Sequence, residues 1–136
     1  MANFEIIYTT GLRTEMTHLA SGTKVLTDAP IDNQGKGELF SPTDLASASL
    51  ASCMLTIMGI AAREHGFNID GTKALVTKEM KSEPRRIGRI IVELYFPHNT
   101  YSQKQKKILE HISKTCPVAL SLHPDLKQEV KLIYLD

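Results

Sequence analysis

An uncharged stretch over residues 45–62 constrains the fold more than any other part of the sequence, because it must be shielded from water. It lies within SPTDLASASLASCMLTIMGIAAREHG, residues 41–66, which carries the end signals of a single helix. Ser41 is a typical N-cap, and Asp44 follows it by three residues, as in a capping box. Gly66 is typical of the position just after a helix end. Apolar and small residues surround the whole helix, which predicts a long central helix buried on several sides.

This uncharged stretch just reaches the length of a minimal membrane span. However, it contains several small polar or flexible residues, which are Ser47, Ser49, Ser52, Thr56 and Gly59. No other part of the chain is comparably apolar. We therefore expect a core helix. The first ten residues, MANFEIIYTT, lack a basic segment followed by a long apolar run, which argues against a signal peptide and makes a cytoplasmic location the default expectation.

The totals describe an ordinary globular chain. Its 136 residues, 42% apolar and 23% charged, predict one domain over residues 1–136. The net charge of +1 gives no general attraction to nucleic acid or to a membrane surface. A basic face on the helix predicted over residues 103–114 is therefore interpreted as a solvated surface.

Strand patterns flank the long helix on both sides. Three strands are predicted before it and a hairpin after it, followed by two helices and a closing strand. This order predicts an α+β fold with antiparallel sheets rather than a doubly wound one. The predicted strands cover residues 3–10, 12–18, 24–28, 73–80, 87–96 and 128–135, and the two later helices cover residues 103–114 and the segment VALSLH, residues 118–123.

The two cysteines are the main candidates for chemistry. Cys53 lies in the middle of the long helix, where a cysteine is most often a small core residue. Cys116 precedes Pro117 at a helix start, where free N–H groups are expected to favour a thiolate. The sequence alone does not pair them. It also offers neither the short cysteine and histidine spacing of a zinc site nor the G-x-S-x-G pattern of a hydrolase.

Three fragments, in this order and at these intervals, resemble the OsmC/Ohr family of thiol-dependent hydroperoxide reductases. They are TTGLR at residues 9–13, SPTDLASASLASCM at residues 41–54 and TCPVALSL at residues 115–122. The resemblance extends over nearly the whole chain. It implies an OsmC-like fold and an intertwined homodimer with two active sites near the interface.

The resemblance also implies a site. Cys53 would attack the hydroperoxide as a thiolate and become a sulfenic acid, and Cys116 would resolve it to a disulfide. Arg13 would stabilise the thiolate and orient the peroxide; without the resemblance it would be an exposed strand residue. A dithiol such as a lipoyl group, or a small thiol, would reduce the disulfide. No cofactor, metal, nucleic acid or membrane is implied.

One position departs from the family pattern. Many members carry Glu after the proline of the central motif, ten residues before the reactive cysteine, and that Glu holds the arginine. Here Thr43 occupies this position and Asp44 follows it. At about 100° per residue, Asp44 lies about 180° around the helix from Cys53. We therefore interpret Asp44 as the helix cap.

Two alternatives follow from these residues. The chain could be a small-molecule-binding or scaffold protein in which Cys53 is inert, whereas a nucleic-acid-binding domain is disfavoured by charge. The peroxidase hypothesis further requires Cys116 and Cys53 to lie within disulfide reach, so the start of the VALSLH helix must pack beside the middle of the long helix. In that arrangement Cys116 is expected to be the cysteine with the lower pKa.

Overall fold

A computed structural model describes all 136 residues as an α+β fold with two three-stranded sheets and one long helix. The predicted order of strands and helices is confirmed, with an additional 3-10 turn at Ile31–Asn33 in a segment that lacks periodicity. The elements are β1 (Phe4–Thr10), β2 (Arg13–His18), β3 (Lys24–Asp28), α1 (Pro42–His65), β4 (Lys73–Lys81), β5 (Arg86–Phe96), α2 (Gln103–Thr115), α3 (Pro117–Ser121) and β6 (Lys127–Tyr134).

The chain forms two compact units, Met1–Ala46 and Ser47–Asp136. The first contains the β1-β2-β3 sheet and the loop that leads to α1. The second contains most of α1, the β4-β5-β6 sheet and the two shorter helices. The single domain inferred from the sequence stays a prediction.

The first sheet is antiparallel, and its apolar side chains lie mainly on one face. Cross-strand pairing places Phe4, Ile6 and Tyr8 of β1 on the same face as Met16 of β2 and Val25 of β3. Every residue of β1 is nevertheless exposed, and Ile6 retains 55% of its accessible surface. The first unit therefore presents an apolar sheet face that the chain itself leaves open to solvent.

The loop between β3 and α1 folds back on itself. Asp28 N–H donates to Phe40 O at 3.1 Å, which closes the two ends of the loop. Gly35 passes so close to Ala29 that a Cβ at this glycine would lie 1.8 Å from the Ala29 carbonyl oxygen. Only glycine fits at this position. The close approach of the backbone there determines the positions of the residues that precede α1.

The predicted ends of α1 are confirmed. Ser41 N–H donates to Asp44 Oδ2 at 2.9 Å, and Asp44 N–H donates to Ser41 Oγ at 3.0 Å, which is a reciprocal capping box. At the other end Gly66 has φ of 73°, and Phe67 N–H donates to Ala62 O. Asp44 thus acts as a helix cap, as interpreted from the sequence.

The second sheet is mixed, so the prediction of antiparallel sheets is wrong for one pair of strands. β4 and β5 form the predicted antiparallel hairpin, whereas β6 pairs with β5 in parallel. The reason is the connection: α2 and α3 lie between β5 and β6, and a crossover of this length allows a strand to return in the same direction.

The core of the second unit combines one side of α1 with β5 and α2. Leu50, Met54 and Met58 of α1 are fully buried, as are Ile90 of β5 and Leu109 of α2. α1 is also long and apolar enough to cross a membrane, and 33% of its most apolar 18-residue window is buried inside the protein. Its three fully buried side chains are what the core-helix prediction requires.

The opposite side of α1 is not covered in the single chain. Ser49, Ser52, Thr56 and Ile60 are exposed, Ile60 by 49%. The prediction that elements surround the helix on several sides is therefore wrong for one chain by itself. The sequence could not reveal this, because small and apolar residues occur on both sides of α1.

Candidate active site

Cys116 lies at the junction of α2 and α3 and is completely buried. Its N–H donates to Ile112 O and closes α2, while its Sγ accepts a hydrogen bond from Ala119 N–H at 3.4 Å and caps α3. The extended backbone of Cys116, with φ of −63° and ψ of 151°, follows from Pro117, which disfavours a helical conformation in the residue before it. The proline thus creates the junction that holds the thiol.

Cys53 is partly exposed in the middle of α1, and its side chain is hydrogen-bonded to that of Cys116. Both are free thiols. The structure therefore brings together two cysteines that the sequence alone could not pair, and it packs the start of α3 beside the middle of α1 as predicted. Disulfide formation between them stays a prediction.

The protonation of Cys116 differs from expectation. Burial raises the pKa of the Cys116 thiol, and its contact with Cys53 raises it further. Hydrogen bonds from the N–H groups of Ala119 and Val118 lower the pKa of Cys116, but their effect is smaller than that of burial. The prediction that a helix start would favour a Cys116 thiolate is wrong, because α3 has only five residues and the sulfur is shielded from water.

Arg13 lies at the start of β2 in the first unit, where it meets two acidic side chains. Arg13 Nη2 is 2.8 Å from Glu38 Oε1 and 3.3 Å from Asp28 Oδ2. Asp28 is buried and retains 1% of its side-chain surface, whereas Glu38 retains 59%. Arg13 is thus a partly exposed residue of β2 that is paired with two carboxylates, and its role in catalysis stays a prediction.

Asp28 is held as a carboxylate. Its Oδ2 accepts a hydrogen bond from Glu38 N–H at 3.1 Å. This hydrogen bond, together with the positive charge of Arg13, lowers the pKa of Asp28 below its usual value despite its burial. Asp28 Oδ1 is buried and has no hydrogen-bond partner. The first unit thus contains a buried negative charge that Arg13 balances.

Sequence reasoning missed Asp28 and Glu38. The pairing of β2 with β3 places Asp28 directly opposite Arg13, so a correct register would have identified it. Glu38 gave no signal, because its place depends on the tight path of the preceding loop. Thr43, at the family position for glutamate, lies 3.2 Å from Ser41 by their hydroxyl oxygens.

Comparison with known proteins identifies the family. Residues 35–131 match the sequence model of the OsmC-like protein family. A Psychrobacter arcticus 273-4 protein, assigned provisionally to osmotic stress induction and detoxification response, is 48% identical in its solved structure. The match covers 97% of this chain and 96% of that chain, with a TM-score of 0.92.

Two further solved structures share the fold at low identity. An organic hydroperoxide resistance protein OsmC from Legionella pneumophila has a TM-score of 0.74 at 12% identity, covering 96% of this chain and 94% of that one. An OsmC-like protein from Mycoplasma pneumoniae has a TM-score of 0.75 at 17% identity, covering 96% of each chain. A comparison with curated proteins gives no match. The family match over most of the chain and the 48% identical structure together show that this chain belongs to the OsmC-like protein family.

Proposed function

We propose that the protein is a thiol-dependent peroxidase that reduces organic hydroperoxides through Cys53 and Cys116. The observation that carries this proposal is the hydrogen bond between a partly exposed thiol and a buried one. The family supports it, since a structural relative is named for organic hydroperoxide resistance. The partly exposed thiol is accessible to a peroxide, and the buried thiol beside it is proposed to react next.

The proposed cycle has three steps. The Cys53 thiolate attacks the peroxide O–O bond, the alcohol leaves after taking up a proton, and Cys53 becomes a sulfenic acid. The Cys116 sulfur then attacks the Cys53 sulfur, and the sulfenic oxygen leaves as water when the disulfide forms. A dithiol reduces this disulfide and becomes oxidised itself. In total, one hydroperoxide and one dithiol give one alcohol, one water and one oxidised dithiol.

The raised pKa of Cys116 fits the resolving role. A neutral Cys116 thiol can donate a hydrogen bond to the Cys53 sulfur before the peroxide arrives. The same burial keeps Cys116 away from soluble oxidants. We therefore assign the first attack to Cys53 and the resolving step to Cys116.

Arg13 is proposed to orient the peroxide and stabilise the Cys53 thiolate. Its guanidinium carries five N–H donors, and both observed hydrogen bonds use Nη2. The donors on Nε and Nη1 are therefore available to a ligand, and the side chain is 36% exposed.

The partners of the proposed enzyme follow from this chemistry. The substrate is an organic hydroperoxide, and the reductant is a lipoyl group or a small thiol. We propose that the enzyme works in the cytoplasm without a cofactor and binds neither nucleic acid nor a membrane. The net charge of +1 supports the lack of nucleic-acid binding, since it provides no long-range attraction to a polyanion.

The enzyme is further proposed to be an intertwined homodimer. The apolar face of the first sheet and the uncovered side of α1 are both open in the single chain. An exposed apolar sheet face of this kind usually marks a protein interface. A second copy that covers these surfaces would complete two active sites.

A non-enzymatic binding or scaffold protein is the second candidate. It is favoured by the complete burial of Cys116 and by Thr43 at the family position for glutamate. In such a protein both thiols are core residues, and a hydroperoxide leaves them unchanged.

Consumption of cumene hydroperoxide with dihydrolipoamide tests the proposal. We expect turnover by the wild type, and loss of turnover in Cys53→Ser with no sulfenic acid trapped by dimedone. Cys116→Ser should form a trappable sulfenic acid but no intramolecular disulfide. Ser82→Ala, at an exposed residue of the turn between β4 and β5, is the control and should retain turnover. If native Cys53 does not react with a thiol probe and peroxide leaves both thiols free, the enzyme hypothesis is wrong.

A further inference from the structure

Arg13 is held by two acidic residues, Asp28 and Glu38. Neither of them occupies the position, ten residues before Cys53, at which many family members carry the glutamate that holds the arginine. We propose that Asp28 and Glu38 are the positioning residues of Arg13: Asp28 anchors the guanidinium, and Glu38 is a weaker second support that can release it. The inference rests on the proposed function, because that function gives Arg13 its task. The contacts that carry it lie entirely within the first unit.

Asp28 qualifies as the anchor because its charge is buried and balanced locally. It lies opposite Arg13 in the β2–β3 ladder, so the sheet itself fixes their separation. Its lowered pKa keeps it ionised at neutral pH, and one of its oxygens has no hydrogen-bond partner. Moving Arg13 away would leave a buried carboxylate without its counter-charge, which is strongly unfavourable.

Glu38 makes the shorter contact, at 2.8 Å, but lies in a different environment. Its side chain is more than half exposed, and ion pairs in contact with water contribute little and are screened by salt. The carboxylate can therefore leave the guanidinium at little cost. Its backbone need not move, because Glu38 N–H remains bonded to Asp28 Oδ2.

The fold places Glu38 beside Arg13 through the preceding loop. Gly35 packs against Ala29, and Gly37 N–H donates to Ala29 O at 3.2 Å. The bond from Asp28 N–H to Phe40 O then closes the segment around Glu38. The same carboxylate of Asp28 thus receives both the Arg13 side chain and the Glu38 backbone, which couples the loop to the arginine.

This arrangement predicts what each acid contributes to the reaction. With both contacts made, Arg13 is restrained before the peroxide arrives, and a restrained donor loses less entropy on binding. Without Glu38 the guanidinium keeps one anchor and gains freedom. Without Asp28 it loses the buried charge that fixes it in the sheet. Loss of Asp28 is therefore expected to have the larger effect.

The first arm of the test does not depend on activity. We expect ¹⁵N NMR of the arginine side chains to show restricted rotation of the Arg13 guanidinium in the wild type and faster rotation in Glu38→Gln. The matched control is Glu15→Gln, which removes an ion pair of the same 2.8 Å length, to Lys24, from the same sheet. Unchanged Arg13 signals in Glu38→Gln would overturn the inference, whether or not the wild type reduces peroxides.

The second arm uses the neutral substrate cumene hydroperoxide. We expect Glu38→Gln to lower kcat/KM by about two- to fivefold, as the loss of an exposed ion pair allows, and added salt to lower wild-type kcat/KM toward that value, because salt screens the exposed pair. Glu38→Gln itself should respond little to salt, and Glu15→Gln should behave as the wild type does. Equal salt dependence in wild type and Glu38→Gln would overturn the positioning role of Glu38.

Asp28→Asn addresses the anchor, with circular dichroism to verify its fold. It should lower kcat/KM more than Glu38→Gln does and also mobilise the Arg13 signals. A folded Asp28→Asn with wild-type signals and activity would remove Asp28 from the proposal. If this variant does not fold, Glu38→Gln still decides whether Arg13 is positioned by its acidic neighbours. A wild type without turnover would instead refute the proposed function, and the NMR arm would still stand.

Discussion

The sulfur of Cys116 accepts a hydrogen bond from Ala119 N–H at 3.4 Å, in the capping position that a serine or aspartate oxygen usually occupies. Such a sulfur is a weak acceptor, and here it is shielded from water. The same residue therefore joins two helices and serves as the proposed resolving thiol. This double role connects the chemistry of the site to the stability of the fold.

Stability should depend on Cys116 at alkaline pH. Burial raises the pKa of Cys116 in the folded state above the value of 9.0 expected when the thiol is exposed. Between those two pKa values the unfolded chain loses a proton that the folded chain keeps, so the free energy of unfolding falls as pH rises above about 9. Urea unfolding from pH 8 to 11 should show a smaller decline in Cys116→Ser, which lacks the titrating thiol. Equal declines in both proteins would contradict the expected burial effect.

Tyr134 provides a second alkaline dependence in a different pH range. Its ring stacks on Phe96 at 4.9 Å, its hydroxyl is buried without a partner, and burial raises its pKa to about 12. The free energy of unfolding should therefore fall between pH 10 and 12, where the tyrosine ionises only in the unfolded chain. Tyr134→Phe should make this decline smaller, while Tyr95 and Tyr101, whose pKa values burial also raises, continue to contribute to it. At pH 7 it should leave stability unchanged or raise it, because no hydrogen bond is lost.

The capping box of α1 should contribute measurably to stability. Ser41→Ala removes the acceptor of Asp44 N–H and should lower the free energy of unfolding by about 1 kcal/mol. Ser102 caps α2 through the same reciprocal pattern with Gln105, so Ser102→Ala is the matched comparison. Since Ser41 is buried and Ser102 is exposed, Ser41→Ala should cost at least as much. A negligible loss in Ser41→Ala would show that the cap does not stabilise α1.

Leu12 should be replaceable with a gain in stability. It occupies the second position of the two-residue turn between β1 and β2, with φ of 65°, next to Gly11 with φ of 61°. Turns of this kind favour glycine or asparagine, and a left-handed conformation costs a bulky residue about 1–2 kcal/mol. Leu12→Gly should therefore raise the free energy of unfolding by up to about 1 kcal/mol in urea titrations, once the greater freedom of glycine in the unfolded chain is included. A lower stability would show that the exposed leucine makes a stabilising contact outside the single chain.

The sequence predicted what local chemistry determines. The ends of α1 followed from Ser41, Asp44 and Gly66, and the predicted bounds of β3, residues 24–28, match the structure. The contact of Cys53 with Cys116 required the family resemblance, since nothing local pairs residues so far apart. Glu38 remained hidden because its position depends on backbone closure around Gly35 rather than on any pattern of side chains. The parallel direction of β6 likewise depends on the path of the chain through α2 and α3.

The association of two chains is open to a direct test on the first sheet. Ile6 lies at the centre of the apolar face, between Phe4 and Tyr8 and opposite Met16, and is 55% exposed in the single chain. Ile7, the next residue, points to the opposite face and is 50% exposed. We expect the wild type to have twice the 15.1 kDa mass of the chain in light scattering at low micromolar concentration.

Ile6→Lys should shift that mass toward 15.1 kDa, because a lysine charge inside an apolar interface must lose its water. Ile7→Lys is the matched control, with the same substitution on the same strand at similar exposure, and should remain a dimer. A wild type of monomer mass would refute the dimer outright. Equal dissociation of both variants would instead show that the face defined by Phe4, Ile6 and Tyr8 is not the specific contact surface. If the active site includes residues from both chains, the monomeric variant should also lose hydroperoxide turnover while its Cys53 still reacts with a thiol probe.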